Sequence, residues 1–250
     1  MSRNLLTGLV GAWCPSLGPS GYTLLDRSGR GNHGTLTNMD AGAWVGSNGW
    51  ALSFDGTNDY VVIPTRQFYV LRNTNKTVAA WVKTSTPGTN YRTVFSVDQT
   101  FALTIKNSVL ITYDWAAASD RSSGVNVANG QWRHLAVAIR SGVTGGSQLY
   151  VDGQAAGAAF LYSDQVGNAT NDASVMTALT SANVPVPAPN AEYVNGQLDD
   201  VRLYSRCLTA AEIAILATRR GIGLTQRAQR RVFRTAQGNR RRRLICGAEC

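Results

Sequence analysis

The sequence predicts an all-β protein, a two-sheet antiparallel sandwich with one short closing helix and a basic C-terminal tail. Three observations carry this. Apolar segments are short and rich in Val, Ile, Thr, Tyr and Trp, the residues that suit a half-buried pleated surface. Gly is abundant, at 25 of 250 residues, and stands with Asn, Asp and Ser between those segments. No ten-residue helical pattern interrupts them, which excludes alternating βα units and leaves two packed sheets as the way to bury so many strands.

Taken in order, the strand-like runs are residues 8–13, 51–54, 60–63, 77–83, 93–97, 101–105, 109–113, 132–139, 148–151 and 198–204. Asp55-Gly56 and Asp152-Gly153 are hairpin signals, because Gly accepts the positive φ of tight two-residue turns. Residues 160–193 contain few charges and the proline-punctuated run 184–189; proline has no ladder donor, so this stretch reads as a long surface excursion. Near the end, Thr209 followed by Glu212 forms a capping-box pattern, and Ile213, Leu216 and Ala217 supply the apolar stripe of one short helix.

Charge divides the chain in two. Residues 218–250 hold ten arginines against one glutamate, and their +9 equals the net charge of the whole protein. The preceding body, residues 1–217, is neutral. No segment approaches the roughly 20 apolar residues of a membrane span. The N-terminal segment is read as the first strand rather than a secretory leader, since Thr7, Gly8 and Gly11 interrupt it. The four cysteines, Cys14, Cys207, Cys246 and Cys250, give no disulfide framework and no complete zinc set; free thiols are the expectation.

Within the tail, Arg227, Arg230, Arg231 and Arg234 recur at i, i+3, i+4 and i+7, one side of a helix, with Ala228, Val232, Phe233 and Ala236 opposite. Arg240, Arg241, Arg242 and Arg243 follow as an unbroken block.

Eight segments, GLVGAW at 8–13, DRSGRGNHGT at 26–35, ALSFDGTNDY at 51–60, AWV at 80–82, WRHLA at 132–136, LYVDG at 149–153, GQLDDVRLY at 196–204 and the helix-opening 208–213, occur in the order seen in one family. Over residues 8–217 the chain resembles laminin G-like, concanavalin A-like lectin domains. The resemblance implies a jelly roll whose first and last strands pair, bringing Cys14 and Cys207 near one another.

Some relatives with this architecture are glycosidases, which need two closely placed carboxylates. This chain has three glutamates: Glu212 in the capping box, Glu249 in the tail and Glu192 alone in a loop. Asp199 and Asp200 are adjacent on an expected strand, where successive side chains point to opposite faces. His134 lies inside a strand run and reads as packed, and His33 stands in a Gly-rich turn. No nucleophile, base and orienting acid assemble, and the expectation is a non-enzymatic protein.

Similar jelly rolls bring the loop at 26–34 against the final strand. That resemblance makes Asp26, Asn32 and Asp200 candidate calcium ligands, since carboxylate and amide oxygens are what calcium favours. The alternative is that Asp26, Ser28 and Asn32 hydrogen-bond their own turn. Sugar binding is likewise implied by the resemblance; Trp44, Trp50, Tyr91, Trp115 and Tyr162 are available aromatics, and the sequence selects no set among them.

For the tail, contact with nucleic acid is supported by charge, but the aromatic interleaving of a single-strand binder is missing apart from Phe233. A membrane surface calls for a larger apolar face. Docking on the acidic surface of a neighbouring subunit uses both sides of the expected helix. The combined expectation is a virion structural protein, such as a bacteriophage capsid decoration, fibre or tail component, with the lectin-like body facing outward to a host-surface glycan. The alternatives are an extracellular carbohydrate-binding or adhesion module and, third, a glycan-active hydrolase.

Overall fold

The computed structural model describes residues 5–46, 49–64, 71–85, 88–97, 100–163, 172–180 and 184–224. The tail arginines from Arg227 to Arg243, together with Cys246 and Cys250, lie outside the described residues.

Along the chain the strands are β1 (Leu9–Trp13), β2 (Thr23–Leu24), β3 (Gly34–Thr37), β4 (Trp44–Gly46), β5 (Trp50–Asp55), β6 (Tyr60–Ile63), β7 (Lys76–Lys83) and β8 (Arg92–Val97). They continue as β9 (Phe101–Lys106), β10 (Val109–Asp114), β11 (Ser119–Asn126), β12 (Trp132–Ile139), β13 (Ser147–Val151), β14 (Gln154–Phe160), β15 (Ala173–Val175) and β16 (Asn195–Tyr204). One helix, α1 (Ala210–Leu216), follows. The first sheet runs β14-β13-β12-β7-β16-β5-β4, with β1 also paired to β16; the second runs β11-β10-β9-β8-β15-β6-β3-β2. All pairings between these strands are antiparallel. The two-sheet sandwich is as expected, and the first strand pairs with the last, Leu9 opposite Tyr204 and Trp13 opposite Val201.

Alternation builds the core. Val78, Ala80 and Val82 of β7 and Leu135, Val137 and Ile139 of β12 face Phe101, Leu103 and Ile105 of β9 across the sandwich. The opposite side of the first sheet carries a second apolar cluster, in which Ala79, Ala136, Ala138 and Tyr204 are covered by Leu5, by Ile213 and Leu216 of α1, and by Leu224. Residues 218–224, expected to begin the tail, therefore belong to the body. The Gly221 N–H donates to Asp200 at 2.8 Å, the Ile222 carbonyl accepts from Arg202 at 2.6 Å, and the Arg220 guanidinium lies 4.5 Å from the Trp132 ring centre.

Both turn signals mark turns, with different outcomes. Asp152 (φ 50) and Gly153 (φ 81) close the β13–β14 hairpin, whereas Asp55-Gly56 carries the chain from the first sheet to the second. The excursion at 160–193 is not wholly superficial: β15 inserts between β8 and β6 with three buried residues. The proline run stays outside the strands. The capping box is formed as expected, Thr209 accepting from the Glu212 N–H and Glu212 from the Thr209 N–H.

At one side the two sheet edges close on each other. Gly157 of β14, at φ +74, lies so near β11 that a Cβ there would stand 2.3 Å from the Ser122 carbonyl oxygen. At the other side the edge strands β4 and β2 leave a cleft, bridged where the Trp44 indole N–H donates to the Gly21 carbonyl at 2.9 Å.

Candidate functional site

The outward side of the second sheet is built from small, mostly hydroxyl-bearing residues, because the positions alternating with core-facing Phe95, Phe101 and Leu103 are Ser96, Ala102 and Thr104. The segment after β15 folds over this surface. The Met176 N–H donates to the Val94 carbonyl, and the Thr93 N–H to the Glu192 carbonyl at 3.1 Å. Arg92 donates to the carbonyls of Ala191 and Tyr193. A cavity of about 180 Å³ remains beneath it, walled by Tyr91, Tyr113, Trp115, Thr93, Thr104 and Glu192 among others.

Three aromatic rings stand in a row at its mouth. Tyr91 meets Tyr113 edge-on at 5.8 Å between ring centres, and Tyr113 meets Trp115 at 5.3 Å. Each is only half-buried, and the Lys106 ammonium lies over the Tyr91 ring, 4.2 Å from its centre, so Tyr113 and Trp115 are the rings left for a ligand to stack on. Beside it, the Lys106 ammonium donates to Asp120 at 2.8 Å and to the Tyr91 hydroxyl at 3.0 Å, while that hydroxyl donates to Asp120 at 3.1 Å. The hydrogen bond it donates to Asp120 holds Lys106 above its ordinary pKa, so it is a fixed cation. Burial pushes the Glu192 carboxyl upward against the hydrogen bond it accepts from the Thr93 hydroxyl and the nearby Arg92 charge. Among the described residues lining the cavity, Glu192 is the one carboxylate. The sequence placed Glu192 alone in a loop and gave nothing to bring it against Thr93 and Thr104, which carried no signal beyond alternation.

The calcium expectation does not fit this geometry. Both Asp26 oxygens are met by protein donors: the Ala12 N–H at 3.0 Å and Ser28 N–H at 2.8 Å on one, the Ser28 hydroxyl at 2.8 Å and Asn32 N–H at 3.0 Å on the other. The Asn32 amide donates to the Val10 carbonyl at 2.9 Å. Asp200 is held by the Arg202 guanidinium at 2.8 and 2.9 Å and by the Gly221 N–H. A cation there would face N–H hydrogens and a guanidinium instead of free oxygens. Asp26, Asn32 and Asp200 are thus fold-holding residues, and the described residues contain no group of three potential metal ligands from His, Cys, Asp and Glu.

The other residues singled out by sequence are also accounted for. A β-bulge between Asp199 and Arg202, with Asp200 at φ 48, breaks the expected alternation. Asp199 accepts from the Ser16 N–H at 3.0 Å and Asp200 from Gly221, and Ser16 adjoins Gly221, so both carboxylates point outward from the first sheet. His134 is buried edge-on against Trp81, and burial lowers its pKa to about 3, which keeps it neutral. His33 accepts the Asp26 N–H through Nδ1. Tyr162 is a core residue whose hydroxyl donates to the Thr100 carbonyl at 2.8 Å. Cys14 and Cys207 sit in the same outer apolar cluster as free thiols. No helix among the described residues is long and apolar enough to cross a membrane.

Comparison with known proteins agrees with this architecture. A laminin G-type family model, described as the concanavalin A-like lectin/glucanases superfamily, matches residues 55–214. No curated protein matches the sequence. Among solved structures, domain 4 of the extracellular arabinanase AbnA from Geobacillus stearothermophilus, in complex with arabinotriose, superposes with a TM-score of 0.59 at 19% identity over 84% of this chain and 98% of its own. A Trypanosoma rangeli sialidase gives 0.57 at 19% identity over 84% of this chain, but only 33% of the sialidase. The binding domain of Paraclostridial Mosquitocidal Protein 1 gives 0.61 at 12% identity over 85% of this chain and 52% of that one. At such identities these likenesses concern the fold.

Proposed function

Because this chain belongs to the concanavalin A-like lectin/glucanases superfamily, we propose that its body is a non-catalytic carbohydrate-binding module, held on a larger assembly by its arginine tail. The observation that carries the reading is the row Tyr91, Tyr113 and Trp115 beside the cavity that holds Glu192, Thr93 and Thr104. Open aromatic faces stack on the C–H side of a sugar ring, and a fixed carboxylate, ammonium and hydroxyls accept and donate to its hydroxyl groups. The arabinotriose bound by the arabinanase domain supports an oligosaccharide as the ligand class.

The non-catalytic part of the proposal rests on the carboxylates. Glycoside hydrolysis needs two, one on each side of the bond. Glu192 lines the cavity without a second, and Asp120 is neutralised by Lys106. The assembly part rests on charge: a nearly neutral body, to which residues 218–224 add only Arg219 and Arg220, joined to eight arginines against one glutamate in residues 225–250, suits an acidic neighbouring subunit, as on the outer surface of a virion whose lectin-like face meets a host glycan.

Trp115→Ala and Tyr113→Ala, assayed by calorimetry with arabino-oligosaccharides and sialylated glycans and by glycan array, are expected to weaken binding about tenfold each. Unchanged affinity in both variants, or no bound glycan at all, overturns the lectin reading. Release of reducing ends that Glu192→Gln abolishes overturns the non-catalytic one.

A further inference from the structure

The open edge of the sandwich, remote from the aromatic row, has a chemistry of its own. Tyr22 precedes β2, Trp44 opens β4 and Trp50 opens β5, and with Asp40 they line a cleft of about 370 Å³. Tyr22 is 66% exposed and Trp50 40%, the two most exposed aromatic side chains in the described body. Gly46 makes room for the cleft: a Cβ there would stand 3.1 Å from the Trp50 ring. Residues Trp44 and Trp50 fall on the same face of the β4–β5 pair, where diagonal neighbours are within reach of aromatic rings.

One carboxylate, Asp40, lines it, and two more stand in the depression beside it. Asp40 also lines the adjoining depression with Asp55 and Asp59, and no basic side chain lines either, among the described residues. Burial, together with the neighbouring carboxylates of Asp55 and Asp40, raises the pKa of Asp59. The Trp44 N–H is already committed to Gly21, so the cleft presents ring faces and negative charge with few donors. That combination suits a cation that is flat and weakly hydrated, and a guanidinium stacks on indole and pairs with carboxylate better than an ammonium does.

Such a cation is close at hand. The Arg220 guanidinium reaches the backbone beside the cleft, 3.7 Å from where a Cβ on Gly49 would be. From Arg220 to residue 225 the chain spans at most about 18 Å, so the eight arginines that follow start within easy reach. They include no lysine among them. The same body already stacks Arg220 on Trp132 at 4.5 Å and Arg206 on Tyr204 at 5.7 Å.

We infer that the cleft formed by Tyr22, Trp44, Trp50 and Asp40 is a docking site for the chain's own arginine tail, residues 225–243. The short tether gives an effective concentration on the order of millimolar, which favours the chain's own tail over that of another copy. The inference stands independently of glycan binding.

Trypsin cleaves after arginine and reports docking in the full-length protein. At ~0.05 M salt the bonds after Arg227 to Arg243 are expected to be cut about tenfold more slowly in the wild type than in Trp50→Ala, Tyr22→Ala or Asp40→Asn. Raising the salt to ~0.5 M removes the difference, and Asp152→Asn, which deletes one charge in the β13–β14 turn, leaves the protection in place. Near-ultraviolet circular dichroism checks that each variant is folded. Equal cleavage in the wild type and all three cleft variants overturns the inference. Protection that grows with protein concentration also overturns it, and puts the tail on a second copy.

Discussion

Glu212 shows how much one buried carboxylate does here. It accepts two charge-assisted bonds from Arg206, at 2.9 and 3.0 Å, and the Thr209 N–H, which pulls its pKa to about 2. Because the folded value lies below the usual carboxylate range, this contribution to stability is present at neutral pH and is lost as pH falls through the folded value. Glu212→Gln is therefore expected to cost roughly 2–3 kcal/mol at pH 7 and to differ little from the wild type near pH 2, as read by denaturant unfolding at both pH values. The capping pattern made this residue legible in the sequence. Asp26 was legible as a turn residue, since Asp, Ser and Asn bond their own backbone in such loops. Its link to Ala12 was not, because nothing local says which strand a turn will lie against.

Elements were legible where apolar alternation was strong. Strands β7, β9 and β12 were expected almost to the residue. Strand β11, with the sequence SDRSSGVN, is too polar to signal burial, and β14, QAAGAAF, consists of residues with weak strand preference. These two missed strands are the ones that meet at the closed edge. Gly157 allows their contact, and Gly157→Ala both forces a positive φ on a residue with a Cβ and drives that Cβ into the Ser122 carbonyl. The expected loss is roughly 2–4 kcal/mol by chemical denaturation, with amide exchange accelerating in β11 and β14 before it does in β7.

At the scale of the whole molecule, the concentration of arginine towards the C-terminus is plain in the sequence, but how far the packed body extends into it was not legible. Leu224 is one apolar residue among arginines and glycines, and only the packed structure ties it to Leu5 and α1. Truncation after Leu224 is expected to leave the melting temperature close to that of the full chain. Truncation after Ala217 removes Leu224, the Gly221 bond to Asp200 and the Ile222 bond to Arg202, and is expected to lower stability by roughly 3 kcal/mol or more in calorimetric unfolding. A body that melts identically in both truncations would deny residues 218–224 any structural part. The candidate glycan site was the least legible feature, since Tyr91, Tyr113, Trp115 and Glu192 come from four separate stretches that only the fold assembles.

The two termini of the described body lie together, a Cβ on Gly223 being 3.8 Å from the Leu5 side chain. Joining them with a short linker would close the backbone into a ring at little entropic cost. New ends could then be opened at the exposed Val143–Gly146 turn, between β12 and β13, so the sandwich is suited to circular permutation and to insertion as a cassette within another protein's surface loop.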